Sequence, residues 1–105
     1  MKNILFVCNQ NQHRSPTAER IFKNNKNVEV KSAGLYEGSK ILLDNKIIAW
    51  ADVIFVMEES QREEIEQRFP QNRKRIIVID IPDVFNYMDK ELIKILKQRM
   101  AQFFS

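Results

Sequence analysis

Cysteine, histidine and glycine are scarce in this chain: among 105 residues there are one Cys, one His and two Gly. A single cysteine rules out an internal disulfide framework and fits a reducing compartment, so the expected location is the cytoplasm. One His and one Cys give no ligand cluster of the kind that holds zinc, and neither a metal nor an organic cofactor is expected. No apolar run approaches the ~20 residues that a membrane-crossing helix needs. The N-terminus goes straight into strand-like residues, without the basic segment and cleavage site of a secretory signal, so no membrane partner is expected. Net charge is a modest +3. The densest basic cluster, Arg73-Lys74-Arg75, reads first as a solvated turn before an apolar strand. A contact for acidic or nucleic-acid partners is its alternative, and nucleic acid is the less expected partner overall.

What is present is an ordinary globular composition, 44% hydrophobic and 30% charged. A domain of this length buries roughly two-thirds of the surface that its unfolded chain would expose. With no repeat, linker or low-complexity tract, residues 1–105 read as a single domain.

Asn3 to Val7 is a near-continuous apolar run, as in a parallel strand covered on both faces. Ser15-Pro16 then starts a helix, with Pro at its first position and Ala18, Ile21 and Phe22 on one face. Val28-Glu29-Val30 reads as a short strand, and Ser32-Ala33-Gly34 as the turn that leaves it. Gly38-Ser39 is a candidate helix start, with Ile41, Leu42, Leu43, Ile47, Ile48 and Trp50 to pack it. Val53 to Met57 is a buried strand, Glu58 to Phe69 a polar helix ended by Pro70, and Ile76 to Ile79 a further strand. Pro82, Asp83 and Asn86 mark a loop over 80–88. Asp89 caps a last helix with Leu92, Leu96, Met100 and Phe103 on its apolar face. Strands alternating with helices predict a parallel sheet with helices on both faces. Ligands then sit at the carboxyl ends of the strands, which places Cys8 and Asp80–Asp83 on the same edge.

The chemistry concentrates in Val7-Cys8-Asn9-Gln10-Asn11-Gln12-His13-Arg14-Ser15-Pro16. A strand that turns directly into a helix leaves backbone N–H groups pointing into one small space, beside the positive end of the helix dipole. A thiol in such a setting, near an arginine, is held largely as the nucleophilic thiolate. Arg offers a planar fork that matches two oxygens of a phosphate. Cys8 as nucleophile, residues 9–15 as cradle and Arg14 as clamp point to phosphoryl transfer through a cysteinyl phosphate. The cradle has no glycine, so Asn9 and Asn11 are the candidates for positive φ. His13 could serve as a base. Dipole and arginine already ionise the thiol, however, so His13 reads as a non-catalytic loop residue. Ser15 could be a plain helix cap. A phenolate leaving group also needs a proton, so an acidic side chain on another loop is required.

Val7-Cys8, five residues, Arg14-Ser15-Pro16 and Ala18-Glu19 together resemble the phosphate-binding loop of the low-molecular-weight protein tyrosine phosphatases. The segment Ala51 to Ser60 is similar to that family's third strand and following helix start. A short segment between Gly34 and Trp50 resembles a compact bacterial subgroup. The resemblance implies an α/β three-layer sandwich on a four-stranded parallel sheet of order 2-1-3-4. It also implies that the Ser15 hydroxyl bonds the thiolate, and that Asn11 is held by serines, Ser32 among them. The general acid would be Asp83, with Asp89 six residues on, and Asp80 is the fallback. Phe85 and Tyr87 would wall the slot for an aryl ring. Two departures stand out: Pro82 precedes Asp83 instead of following it, and Gln12 occupies a place where the family often has an apolar residue.

The expected activity is therefore metal-independent hydrolysis of a phosphomonoester, with phosphotyrosine in a protein, or a small aryl phosphate, as substrate. Inorganic phosphate or another oxyanion would occupy the same loop. Two alternatives remain: a phosphate- or phosphoprotein-binding module on the same fold, and an arsenate reductase that draws on an external thiol.

Overall fold

The structure is a computed structural model and describes residues 2–104. Four strands, β1 (Lys2–Cys8), β2 (Val28–Gly34), β3 (Val53–Val56) and β4 (Arg75–Val78), form one sheet in the order β2-β1-β3-β4. All three pairings are parallel. The intervening and following helices are α1 (Arg14–Phe22), α2 (Asn45–Trp50), α3 (Glu59–Arg68) and α4 (Lys90–Met100).

The apolar runs dictate this layering, because successive strand residues face opposite sides of the sheet. Ile4, Phe6 and Cys8 of β1 pack with Val53 and Phe55 of β3, Ala18 and Phe22 of α1, and Leu92, Leu96 and Met100 of α4. Leu5 and Val7 face the other way, onto Ile54 and Val56, Ile48 of α2 and Ile65 of α3. The first face is bound by an aromatic stack. Phe6 lies 5.9 Å from Phe22 and 5.6 Å from Phe55, centroid to centroid, and Phe103 meets Phe55 edge-on at 4.9 Å. Cys8 ends this inner row of β1, so the nucleophile candidate is the last rung of a buried strand.

Three expectations are corrected. Ser32-Ala33-Gly34 does not turn out of β2: the strand stays zipped to β1 from Lys2↔Val28 through Cys8↔Gly34. Ser32, Ala33 and Gly34 are all buried, and packing overrides their turn propensity. No helix starts at Gly38-Ser39. The helix begins at Asn45, where the Asp44 carboxylate accepts a hydrogen bond from Ile47 N at 2.9 Å. Ahead of it, Leu42 makes a single parallel bridge to Gly34, leaving Ile41 and Leu42 exposed. Pro16 is the third helical residue, not the first. It is still within the first turn, where a missing N–H breaks no helical bond.

Because every strand runs the same way, the carboxyl ends of β1, β3 and β4 deliver Cys8, Met57-Glu58 and Ile79 to Ile81 to one edge. The site forms there.

Candidate active site

The carboxyl end of β1 opens on a cavity of about 380 Å³. Cys8, Asn9, Gln10 and Arg14 line it from the phosphate-loop side, with Gln12 and His13 beside them; Asp83, Val84, Phe85 and Asn86 line it from the loop after β4. Cys8 Sγ lies 2.9 Å from Ser15 Oγ, inside the first turn of α1. Ser15 is thus not a plain cap: the cap position is His13, which makes no side-chain cap bond.

A directional hydrogen-bond chain stands behind that contact. Ser32 Oγ donates to Glu19 Oε1 at 2.5 Å, which leaves the Ser32 oxygen as an acceptor. Asn11 Nδ2 donates to Ser32 Oγ and to Ser15 Oγ, both at 3.0 Å. Ser15 Oγ, with a donor already on it, has its own proton to share between the sulfur at 2.9 Å and the more distant Ala33 carbonyl at 3.5 Å. A carboxylate at one end is thus linked through Ser32 and Asn11 to the hydroxyl that touches the sulfur at the other. Asn11 Oδ1 accepts from Ile41 N at 3.2 Å, so the side-chain amide is held at both of its polar atoms.

Asn11 also supplies the left-handed backbone that the loop requires, at φ 54°. Asn9 does not share that role; its side-chain oxygen accepts instead from Gln61 Nε2 at 3.0 Å. The loop also presses against β2. A Cβ built on Gly34 would sit 2.9 Å from Asn11 N and 2.0 Å from Ser39 Oγ. Only glycine leaves room for that approach.

Arg14 is buried to 2% exposure. Its Nη1 donates to Glu58 Oε2 at 2.5 Å and to the Ile81 carbonyl at 2.8 Å, which anchors the guanidinium to the ends of β3 and β4. Nε lies 3.7 Å from Asp83 Oδ1. With Nη1 occupied, Nε–H and Nη2 remain as a planar fork suited to two oxygens of a tetrahedral anion.

The other candidates separate. Asp83 and Phe85 line the cavity with Cys8. Asp80 does not: at φ 54° it lines a neighbouring depression with Glu58, Glu59 and Pro82. Tyr87, half exposed, borders a third depression on the far side of Gln12. Of the two aromatic residues expected to wall the cavity, the structure places Phe85 there and Tyr87 outside. The loop itself is tied at both ends. Ile81 N donates to the Met57 carbonyl at 2.9 Å, and Met88 N donates to Thr17 Oγ1 of α1 at 2.9 Å.

Two residues escaped the sequence reading. Glu58 and Gln61 form a capping box at the start of α3, and each reaches the phosphate loop. Glu58 holds Arg14; Gln61 holds Asn9 through Nε2 while its Oε1 accepts from Met57 N at 2.7 Å and Glu58 N at 3.0 Å. The available signal was an acidic cap followed three residues later by Gln, at the end of an apolar strand.

A cysteine 2.9 Å from a serine hydroxyl, a buried arginine and a carboxyl on a facing loop are the arrangement of a cysteine-dependent phosphatase. A family model for the low molecular weight phosphotyrosine protein phosphatases matches residues 3–49. A curated protein-arginine-phosphatase from Geobacillus stearothermophilus is 29% identical over 100 aligned positions, covering 72% of this chain and 68% of the relative. The solved structure of the YwlE arginine phosphatase from the same organism matches with a TM-score of 0.78 at 26% identity, covering 98% of this chain and 92% of that one. The tyrosine phosphatase Wzb from Escherichia coli K30, in complex with phosphate, shares the fold at a TM-score of 0.81 and 21% identity, covering 97% and 95% of the two chains. Over residues 3–49 the chain is thus similar to the low molecular weight phosphotyrosine protein phosphatases, and it shares its whole fold with solved phosphatases of that kind.

Proposed function

We propose that this protein removes phosphoryl groups from protein side chains, phosphotyrosine foremost, by a metal-independent two-step reaction at Cys8. The observation that carries the reading is the 2.9 Å contact of Cys8 Sγ with Ser15 Oγ in a cavity that Arg14 and Asp83 share.

The phosphoryl group docks on the N–H groups of residues 9–15 and on the free fork of Arg14. The Cys8 thiolate attacks phosphorus, the ester P–O bond breaks, and Asp83 gives its proton to the departing oxygen. Water then attacks the cysteinyl phosphate while the Asp83 carboxylate takes a proton from it. The S–P bond breaks, and the Ser15 proton stabilises the sulfur as it leaves as thiolate. Phe85 packs against the leaving ring. Ser32 and Asn11 act behind Ser15, as positioning residues.

A second substrate reading rests on the rim. Gln10, Gln12, His13 and Asn86 make the mouth of the cavity strongly polar, with Phe85 its one aromatic side chain. Such a mouth suits phosphoarginine, whose guanidino group offers donors to amide oxygens, and the match to arginine phosphatases supports the same reading.

The test is hydrolysis of a chromogenic aryl phosphate and of matched phosphotyrosine and phosphoarginine peptides in excess chelator. Turnover should survive chelation, vanish in Cys8→Ser and fall about 10²–10⁴-fold in Asp83→Ala. An unaffected Asp83→Ala would move the acid elsewhere, and Asp80→Ala is then the variant to make. Bound phosphate with no turnover of any substrate would make this a binding module on a phosphatase fold.

A further inference from the structure

Beside the catalytic cavity lies a larger one, of about 560 Å³. Gln12 lines both, so the two are separated by little more than one side chain. Its floor is formed by Asn11, Ser32 and Glu19, the far side of the network that orients Ser15. Its walls carry Arg20, Lys23 and Lys40, all exposed, together with the half-exposed ring of Tyr87.

The charge balance of this depression is one-sided. Three cationic side chains face one carboxylate, and that carboxylate is already engaged by the Ser32 hydroxyl at 2.5 Å. None of the three cations makes an ion pair among the described residues. Arg20 and Lys23 sit at the carboxyl end of α1, where they complement the helix dipole. Lys40 has no such reason to be there: it comes from the irregular segment before α2 and joins them across the depression.

We propose that this second cavity is a docking subsite for acidic residues that flank the phosphorylated side chain of a protein substrate. The proposal rests on the phosphatase reading of the first cavity. A chain whose phospho-residue fills that cavity passes Gln12 and carries its neighbours over the second. Each residue of an extended chain advances about 3.3 Å, so positions two or three away reach the basic wall. There, Asp or Glu pairs with Arg20, Lys23 and Lys40, and an intervening apolar side chain packs on Tyr87. The site thus selects by sequence as well as by phosphorylation.

The test uses two phosphopeptides that differ only in flanking Glu against Gln, prepared with phosphotyrosine and again with phosphoarginine. Binding to the Cys8→Ser protein is read by fluorescence anisotropy, and kcat/KM is measured on the active protein. Exposed ion pairs contribute modestly each, so three together should favour the Glu peptide on the order of tenfold at low salt. The preference should shrink as salt screens it. It should disappear in an Arg20→Ala/Lys23→Ala/Lys40→Ala variant whose kcat/KM on a small aryl phosphate is unchanged. Equal affinity for the two flanks, or a preference that survives in the triple variant, overturns the proposal. Failure of aryl phosphate turnover by the parent protein strikes the phosphatase reading instead, and the anisotropy comparison still decides this surface.

Discussion

Replacing Ser15 by Ala isolates one proton. In the folded protein the Ser15 hydroxyl accepts from Asn11 Nδ2 and lies 2.9 Å from Cys8 Sγ, so its hydrogen is within reach of the sulfur as charge returns to it. A hydrogen bond to a charged group is worth about 1.5–3 kcal/mol net. At 1.36 kcal/mol per factor of ten, its loss slows departure of the thiolate roughly 10- to 150-fold. The second chemical step depends most on that departure, and the cysteinyl phosphate should therefore accumulate. Rapid mixing with an aryl phosphate should show a burst of released phenol close to one equivalent per site, followed by a steady state slowed by the same factor. Folding suffers a separate cost of about 1–3 kcal/mol, because Asn11 Nδ2 keeps only one of its two acceptors, so melting is recorded alongside. Steady-state turnover within twofold of the parent, with no burst, would refute the argument that this network delivers a proton to sulfur.

The other predictions concern the scaffold around that network. Gln61→Leu removes the acceptor for Met57 N and Glu58 N and the donor to Asn9, and should cost about 2–4 kcal/mol, read as a melting temperature lower by 10 °C or more. Its kcat should fall as well, since the first residue of the phosphate loop loses its tether; a variant as stable as the parent would contradict the assigned role. Gly34→Ala puts a methyl group 2.9 Å from Asn11 N and should displace the loop while the sheet survives. Displacements of that kind cost up to about 10²-fold in turnover, and phosphate inhibition measured with circular dichroism would separate loop damage from unfolding.

The strands and the loop after β1 were legible because their signals are local and redundant. Ile4 to Val7 form an apolar run too short for a helix, and Cys8, Arg14, Ser15 and Pro16 follow it in the order that the resembling family uses for its strand–loop–helix. Legibility fails where tertiary contact decides. Ser32-Ala33-Gly34 has the composition of a turn, and only the neighbouring strand and the loop packed on Gly34 make it a buried ladder. Residues 35–44 carry enough Ile and Leu to imitate a helix face, but their backbone bonds go to Cys8, Asn9 and Gly34 instead. Gln61 reads as a solvated position in a polar helix, although it is 1% exposed. Phe85 and Tyr87 are two residues apart in an irregular loop, where no periodicity says which ring turns inward.

The nucleophile and the acid candidate are mounted on different kinds of support. Cys8 belongs to a strand laddered to Gly34, with its neighbour Val7 paired to Val56 on the other side, and is fixed by the whole sheet. Asp83 hangs between two fastenings, at Ile81 and Met88, with Val84 74% exposed beside it. The molecule is therefore modular for redesign: residues 84–87 are the stretch to exchange or lengthen with Asp83 kept, while the sulfur, its serine and its arginine stay where the sheet holds them.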